Sequence, residues 1–268
     1  MKSNHEKSAI RNPQSAIVLV HGAFRGGWSW HKVGRILESK GCLVFAPDLT
    51  GAGEKAHLNS ARITLETWTN DVKNLIETED LRDVILVGHS QGGIVIQAVA
   101  ETVAERISRL IFIDAPVLRD GESALDILPK EVREKFGETP RNALIEPIPL
   151  HESEDFSADE IAWINARLTA VPTNPSFDKI RIEKSAKIPH EYIFCKQTPP
   201  FFPSSFTRQR FDAEKIEYKF IDAPHDCILS HAEMIAGILA GDFAGKYFGV
   251  FRNDKTWSEL FENIEKEK

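Results

Sequence analysis

The sequence has little of what marks a disulfide-rich or metal-binding protein. It holds three cysteines among 268 residues, Cys42, Cys195 and Cys227, and no two of them stand in C-x-x-C spacing. An odd, sparse set of this kind argues against both a disulfide framework and a zinc site. We therefore expect a protein without disulfides and without a bound metal.

Clustered positive charge is lacking as well. The chain has 33 Lys and Arg against 40 Asp and Glu, which gives a net charge of −7. Binding to nucleic acid requires a basic patch or stripe, and none is visible, so no nucleic-acid partner is expected. The acidic excess is spread along the chain, which favours a role in solubility.

Long apolar runs are also absent. No stretch approaches the ~20 residues of a transmembrane helix, so no membrane contact is expected. The opening residues, M-K-S-N-H-E-K-S-A-I-R-N-P, lack the apolar centre of a secretory signal. We expect a cytoplasmic protein in which residues 1–14 form a disordered lead-in.

What the chain does have is a regular alternation of short apolar runs and helical patterns. The runs show no clean polar alternation, which is typical of strands buried on both faces. They are Ala16–Val20, Cys42–Ala46, Val84–Val87, Leu110–Ile113, Tyr192–Cys195 and Tyr218–Ile221. The helical patterns are Trp28–Lys40, Leu65–Thr78, Gly92–Arg106, Ser205–Ala213 and Ser230–Phe243. The alternation predicts an α/β fold with a mostly parallel central sheet flanked by helices.

One interval, residues 118–189, breaks this alternation. It shows no strand pattern, and prolines divide it into helical pieces such as Pro129–Phe136 and Ser157–Leu168. The interval is too long for a loop. We therefore expect a helical cap inserted into a core formed by residues 15–117 and 190–250.

Residues 251–268 are expected to form an appended helix. Thr256 and Glu259 suit a capping box, and apolar residues recur from Trp257 with helical spacing. Packing on its own domain is the simpler interpretation of this helix. A contact in a homodimer is the alternative.

The motif G-H-S-Q-G at residues 88–92 follows the third apolar run and precedes a helical pattern. A serine nucleophile in this setting stands on a tight strand-to-helix turn, and glycines on either side remove steric clashes. The positive end of the following helix then faces the site. The five-residue pattern alone is common, but its context predicts Ser90 as a catalytic nucleophile. A purely structural turn is the alternative.

A second loop, H-G-A-F at residues 21–24, follows the first apolar run. Acyl transfer needs two backbone N–H groups directed at the developing oxyanion. One is expected from Gln91, directly after the serine, and the other from Ala23 in this loop. His21 is expected to brace the loop by hydrogen bonds and to take no part in proton transfer.

The catalytic base is expected late in the chain, because folds with this motif run in the order serine, acid, histidine. Of nine histidines, His225 follows the last apolar run by a few residues, where a loop can carry its ring over the sheet edge. His231 is the rival, but it falls within the final helical pattern. Position therefore favours His225.

The acid is harder to locate. Its commonest place is the loop after the penultimate strand, and residues 195–203 hold no carboxylate. Asp226 adjoins the histidine too closely to fold back onto it, and Asp212 belongs to a helix expected on the outside. Asp114, at the end of the fourth run, is favoured. Capping of the strand-end turn is the structural alternative for Asp114.

Together these motifs resemble the α/β-hydrolase superfamily, and within it the esterase branch that includes plant methyl-salicylate-type esterases, hydroxynitrile lyases and small bacterial carboxylesterases. The similarity runs from about Ile17 to Ala240. The stretches that carry it are V-L-V-H-G-A-F-R-G-G-W-S-W (18–30), A-P-D-L-T-G-A-G-E-K-A-H-L (46–58), T-L-E-T-W (64–68), D-V-I-L-V-G-H-S-Q-G-G (83–93), R-L-I-F-I-D-A-P-V-L-R-D-G-E-S (109–123) and A-W-I-N-A-R-L-T (162–169).

The resemblance implies Ser90 as nucleophile, His225 as base, and Ala23 and Gln91 as oxyanion donors. Plant members carry their acid where this chain has Lys-Gln-Thr at residues 196–198. Bacterial members with L-D-A after the strand before the cap are more similar to this chain. That similarity supports Asp114 as the acid.

The expected activity is hydrolysis of a small, largely uncharged carboxylic ester through an acyl-enzyme on Ser90, without a cofactor. Phe24, Trp28, Phe201 and Phe202 are expected to line an apolar pocket, with ordinary core packing as the alternative for each.

Two other classes of function stay open. One is a cofactor-independent lyase or oxygenase that uses the same residues for proton abstraction. The lyases of the family need a lysine after the histidine and a threonine in the first loop, where this chain has Asp226 and Ala23. The other is a non-enzymatic ligand receptor built on a hydrolase shell.

Overall fold

A seven-stranded sheet forms the centre of the computed structural model, which describes residues 16–136, 140–151, 154–241 and 249–251. The strands in these residues are β1 (Ala16–Val20), β2 (Leu43–Phe45), β3 (Val84–His89), β4 (Ile107–Ile113), β5 (Leu144–Ile145), β6 (Val171–Pro172), β7 (His190–Cys195), β8 (Tyr218–Ile221) and β9 (Gly249–Phe251). The sheet order is β2-β1-β3-β4-β7-β8-β9. The first six of these strands pair in parallel, and β9 pairs antiparallel with β8. The predicted α/β fold with a mostly parallel sheet is confirmed.

Helices cover both faces of this sheet. The helices of the described residues are α1 (His31–Ser39), α2 (Leu65–Thr78), α3 (Gly92–Thr102), α4 (Lys130–Phe136), α5 (Ala158–Asn165), α6 (Asn174–Phe177), α7 (Pro203–Glu214), α8 (Cys227–Ser230) and α9 (Ala232–Leu239). One apolar cluster joins the sheet to α2, α3 and α7, and a second joins it to α1, α8 and α9.

Strand β1 shows why its sequence lacks polar alternation. Its five residues are all buried. Val18 and Val20 belong to one apolar cluster, whereas Ile17 and Leu19 belong to the other. Successive side chains in a strand point to opposite faces, and here helices cover both.

Two predicted helices are broken in the structure. The pattern Gly92–Arg106 ends as an α-helix at Thr102, and a 3₁₀ turn, Ala104–Arg106, follows. The pattern Ser230–Phe243 is divided into α8 and α9 at His231, whose backbone leaves the helical region with φ −120° and ψ 40°. Residues 242 and 243, the last two of this pattern, lie outside the described residues. Apolar spacing continues across such a break, so the pattern alone does not reveal it.

The interval 118–189 differs from its prediction in one respect. It contains helices α4, α5 and α6, as expected, but the prediction that it holds no strand is wrong. β5 and β6 pair antiparallel, and Thr173 extends the pairing by exchanging hydrogen bonds with Ala143. Strands of two residues are too short to show an alternating pattern.

The carboxyl ends of the parallel strands meet at one edge of the sheet. The loops after β1, β3, β4, β7 and β8 therefore come together there, which is where open α/β sheets form binding crevices. The predicted lead-in, residues 1–14, and the predicted capping residues Thr256 and Glu259 lie outside the described residues. Phe251, the first residue of the predicted appended helix, ends strand β9 instead, because it pairs with Tyr218.

Candidate active site

Ser90 stands on a strained turn between β3 and α3. Its φ is +49°, in the left-handed region that a serine adopts only at a steric cost. A Cβ atom on Gly88 would lie 2.6 Å from the Gly92 carbonyl oxygen, and one on Gly92 would lie 2.5 Å from the Val20 carbonyl oxygen. Both glycines are therefore required for this turn, which has the geometry expected of a nucleophile elbow.

The His225 ring lies between two groups that the sequence places far from it. Its Nε2 is 3.0 Å from Ser90 Oγ, and its Nδ1 is 2.5 Å from Asp114 Oδ2. The three residues come from the loops after β3, β4 and β8. With Nδ1–H donating to the carboxylate, Nε2 is left as an acceptor for the serine proton.

Asp114 is buried and well supplied with donors. Its Oδ2 also accepts a hydrogen bond from Thr198 Oγ1 at 2.5 Å, and its Oδ1 accepts one from the Cys195 N–H at 3.3 Å. Burial alone would raise the pKa of Asp114. The hydrogen bonds from His225, Thr198 and Cys195 outweigh burial and lower the pKa, so the group is a carboxylate.

The other carboxylates considered from the sequence face elsewhere. Asp226 accepts hydrogen bonds from Arg25, and Asp212 accepts one from the Tyr218 hydroxyl at 2.5 Å. His231, the rival histidine, contacts Ser230 Oγ at 2.8 Å. The structure therefore brings Asp114 and His225 to the serine, as the sequence favoured.

The loop after β1 lies directly against Ser90. A Cβ on Gly22 would come within 2.7 Å of Ser90 Cβ. His21 braces this loop, since its Nδ1 donates to the Gly22 carbonyl at 2.9 Å and its Nε2 accepts from the Leu49 N–H at 3.1 Å. Burial lowers the pKa of His21, which keeps the ring neutral in this role.

Two backbone donors are left free beside Ser90. Among the described residues, the N–H groups of Ala23 and Gln91 donate to no other protein group. Gln91 precedes α3, so its N–H also lies at the positive end of that helix. Such a pair of N–H groups is what an oxyanion requires.

His89 is a candidate functional residue that sequence reasoning missed. Its Nε2 donates to the His225 carbonyl oxygen at 2.8 Å, and the two rings lie 4.9 Å apart. Burial, and then repulsion from His225, lower the pKa of His89 to about 4, so its ring is neutral. It occupies a variable position of G-x-S-x-G, and nothing in the motif signals this contact.

The four predicted pocket residues divide into two pairs. The Phe202 ring lies 4.5 Å from the His225 ring, and Phe24 lines a cavity of about 10 Å³ together with Ala23 and Gln91. Trp28 is buried against Trp163, with ring centroids 5.2 Å apart. Phe201 is 67% exposed.

Trp28 lines two larger cavities, and neither of them is lined by Ala23 or Gln91, or by Ser90 or His225. The structure thus brings Phe24 and Phe202 to the site. Trp28 and Phe201 do not join them.

The described ranges also bear on metal binding and on membrane spanning. There, no group of three or more His, Cys, Asp or Glu side chains is placed to hold a metal ion. Nor does this part of the chain contain a helix with both the length and the apolar character needed to span a membrane.

Comparison with known proteins places this geometry in context. A model of the alpha/beta hydrolase family matches residues 17–238. The chain is 42% identical over 161 residues to a carbendazim-hydrolysing esterase of a Nocardioides species, an alignment that covers 56% of this chain and 66% of that protein. It is 37% identical over 116 residues to putative methylesterase 14 of Arabidopsis thaliana, covering 43% and 33% respectively. In both cases the alignment spans less than two thirds of the relative's length.

Solved structures show the same fold. An extracellular alpha/beta-hydrolase from a Paenibacillus species matches with a TM-score of 0.71 and 24% sequence identity. The match covers 86% of this chain and all of that structure. At this level of identity the likeness concerns the fold.

Proposed function

The chain belongs to the alpha/beta hydrolase family, and from that premise we propose that it is a serine hydrolase cleaving a small, largely uncharged carboxylic ester through an acyl-enzyme on Ser90. The observation that carries this proposal is the unbroken hydrogen-bond chain from Ser90 Oγ through His225 to Asp114. The esterase names of the curated relatives support the same reaction class.

In the proposed mechanism, His225 Nε2 accepts the Ser90 proton as Oγ attacks the ester carbonyl carbon. The carbonyl π electrons move to oxygen, where the N–H groups of Ala23 and Gln91 stabilise the negative charge. Collapse expels the alcohol, which takes the proton from His225. A water then loses its proton to His225 and attacks the acyl carbonyl carbon. Collapse of that intermediate releases the acid, and Ser90 Oγ takes the proton back from His225. Asp114 holds the imidazole in the required tautomer and stabilises the imidazolium.

Two features support a small, uncharged substrate. The cavity beside Ala23 and Gln91 measures about 10 Å³, which is room for roughly one water or one methyl group. Phe24 and Phe202 contribute aromatic surface near the site.

We further propose that residues 118–189 act as a cap over the core formed by residues 15–117 and 190–250. Thr169, in the cap, donates its N–H to the Phe24 carbonyl at 3.2 Å.

Cyanohydrin cleavage is disfavoured by the residue after the histidine. The lyases of this family carry a lysine directly after the histidine. This chain has Asp226 at that position, and its carboxylate is paired with Arg25. Experiment separates a cofactor-independent lyase or oxygenase, or a receptor, from the proposed hydrolase.

The test compares the wild-type protein with Ser90→Ala on p-nitrophenyl acetate and butyrate, with carbendazim added to the panel because of the relative's name. We expect the substitution to reduce kcat by about 10⁴-fold or more. Ser108→Ala is the control, since Ser108 lies near the amino end of β4 and bonds the Asp83 carbonyl. Wild-type turnover by Ser90→Ala would refute the proposal.

A fluorophosphonate probe separates the other classes. A lyase or oxygenase would turn over another substrate without labelling of Ser90. A receptor would bind ligand with no catalytic turnover.

A further inference from the structure

An ion pair between Arg25 and Asp226 joins two loops of the candidate active site. Arg25 Nε and Nη2 donate to the Asp226 carboxylate at distances from 3.0 to 3.3 Å. The side chains are only 10% and 18% exposed. Arg25 lies two residues after Ala23, and Asp226 directly follows His225. The pair therefore links the loop after β1 that carries Ala23, which we call the oxyanion loop, to the loop after β8 that carries His225, which we call the histidine loop.

Each partner is itself anchored on its own loop. Phe24, next to Arg25, has φ +63° and accepts the Thr169 N–H at its carbonyl. The Asp226 carbonyl accepts the N–H groups of Leu229 and Ser230, where α8 begins. A two-pronged arginine–carboxylate pair fixes orientation as well as distance. A change in the pair is thus transmitted to both loops.

The pair also sets the charge next to the proposed base. The charged or titratable groups that face His225 are Asp114 from the end of β4, Asp226 beside it, and His89 from β3. The neutral His89 contributes no charge. Burial would raise the pKa of Asp226, but the Arg25 guanidinium outweighs burial and lowers it. Arg25 therefore offsets a second carboxylate beside the imidazole.

We infer that Arg25 and Asp226 are positioning residues that hold the oxyanion loop against the histidine loop and keep the second carboxylate beside His225 neutralised. This inference rests on the proposed hydrolase function. Arg25→Gln leaves an unpaired carboxylate, which favours the imidazolium and moves the acid limb of the rate profile to higher pH. Asp226→Asn leaves an unpaired guanidinium, which favours the neutral ring and moves that limb to lower pH.

The expected shifts are about one pH unit each, as for one added charge several ångströms away in a partly buried setting. Both single variants also lose about 10- to 100-fold in rate, because the two loops are no longer held together. The double variant Arg25→Gln/Asp226→Asn returns the acid limb to near its wild-type position without restoring the rate. Arg25→Lys keeps the positive charge, so the acid limb stays at its wild-type position. Its rate still falls, because lysine lacks the planar guanidinium that binds both carboxylate oxygens.

The experiment measures the rate at which a fluorophosphonate probe labels Ser90 from about pH 5 to 9, read by mass spectrometry. Labelling needs only the activated serine, so it does not depend on knowing the natural ester. Arg210→Gln is the matched control, because the Arg210–Glu122 pair is similarly buried, with side chains 17% and 22% exposed. We expect this control to leave the acid limb unmoved. Thermal unfolding of each variant confirms that it is folded.

Opposite shifts in the two single variants, cancelled in the double variant, support the inference. Coincident acid limbs, or shifts in the same direction, overturn it while leaving the hydrolase proposal intact. If Arg25→Gln does not fold, the other two variants decide. An acid limb at lower pH in Asp226→Asn with an unmoved limb in Arg25→Lys supports the inference, and an unmoved limb in Asp226→Asn overturns it. A wild-type protein that is not labelled at all contradicts the proposed function itself, and the inference falls with it.

Discussion

Replacing Thr198 with valine removes one hydroxyl from the Asp114 carboxylate and leaves the side-chain shape nearly unchanged. Thr198 is buried, and its Oγ1 donates to Oδ2 at 2.5 Å. A hydrogen bond to a charged group contributes about 1.5–3 kcal/mol, so we expect the free energy of unfolding to fall by about 2 kcal/mol. For a chain of this size, that corresponds to a melting temperature lower by about 4–8 °C.

The pH dependence of this loss follows from the direction of the shift. The pKa of Asp114 in the folded protein lies below its ordinary value of 3.8. Its contribution to stability is therefore present above that value and is lost as the pH falls through the folded pKa. The difference between Thr198→Val and wild type should be full at neutral pH and should narrow below about pH 4.

The assay is urea unfolding at neutral and acidic pH, together with ester hydrolysis. We expect kcat/KM to fall about 10-fold, because Asp114 orients His225 less firmly. Thr207→Val is the control, since it makes the same chemical change at a buried hydroxyl that bonds only neutral groups, accepting the Val117 N–H at 3.2 Å and donating to the Pro203 carbonyl at 3.4 Å. We expect its stability loss, about 1 kcal/mol for each bond, to be the same at neutral and acidic pH, and its activity to equal wild type. Stability and activity equal to wild type in Thr198→Val would refute this reasoning.

Two further predictions concern the carboxylates of Asp114 and Glu101. Asp114→Asn should lower kcat by about 10⁴-fold, because the histidine loses its orienting carboxylate, whereas Asp212→Asn should change kcat little. Equal losses in the two variants would contradict the assignment of the acid. Glu101 accepts hydrogen bonds from Ser185 Oγ and from the N–H groups of residues 183–185. Glu101→Gln should therefore cost about 1–2 kcal/mol in unfolding free energy. Burial raises its pKa, but these bonds lower it below 4.5, so the cost should shrink in acid, and a cost that grew there would contradict the argument.

Features that depend on local sequence could be predicted. The six parallel strands coincide with apolar runs that can be recognised in the sequence alone. Helix α2 has the predicted bounds, Leu65–Thr78, and Thr64 caps its first turn. The turn at Ser90 depends on two glycines within two residues of it. Position in the strand order, rather than any motif, placed Asp114 and His225 at the same sheet edge.

Contacts between distant parts of the chain could not be predicted. Thr198 is 84 residues from Asp114, and His89 is 136 residues from His225. These contacts depend on distances that arise only on folding, and no sequence motif marks a threonine in a loop as a partner of a distant carboxylate. The same holds for Arg25 and Asp226, which are 201 residues apart. Asp226 is a candidate acid in the sequence, but in the structure it pairs with Arg25 of the oxyanion loop.

The most direct test of the central claim is the covalent intermediate on Ser90. The protein is mixed with p-nitrophenyl acetate, quenched in acid within the first turnovers and digested for mass spectrometry. We expect one acetyl group on the peptide that contains Ser90, together with an initial burst of p-nitrophenol. Turnover of the ester without any acyl group on Ser90 would contradict it.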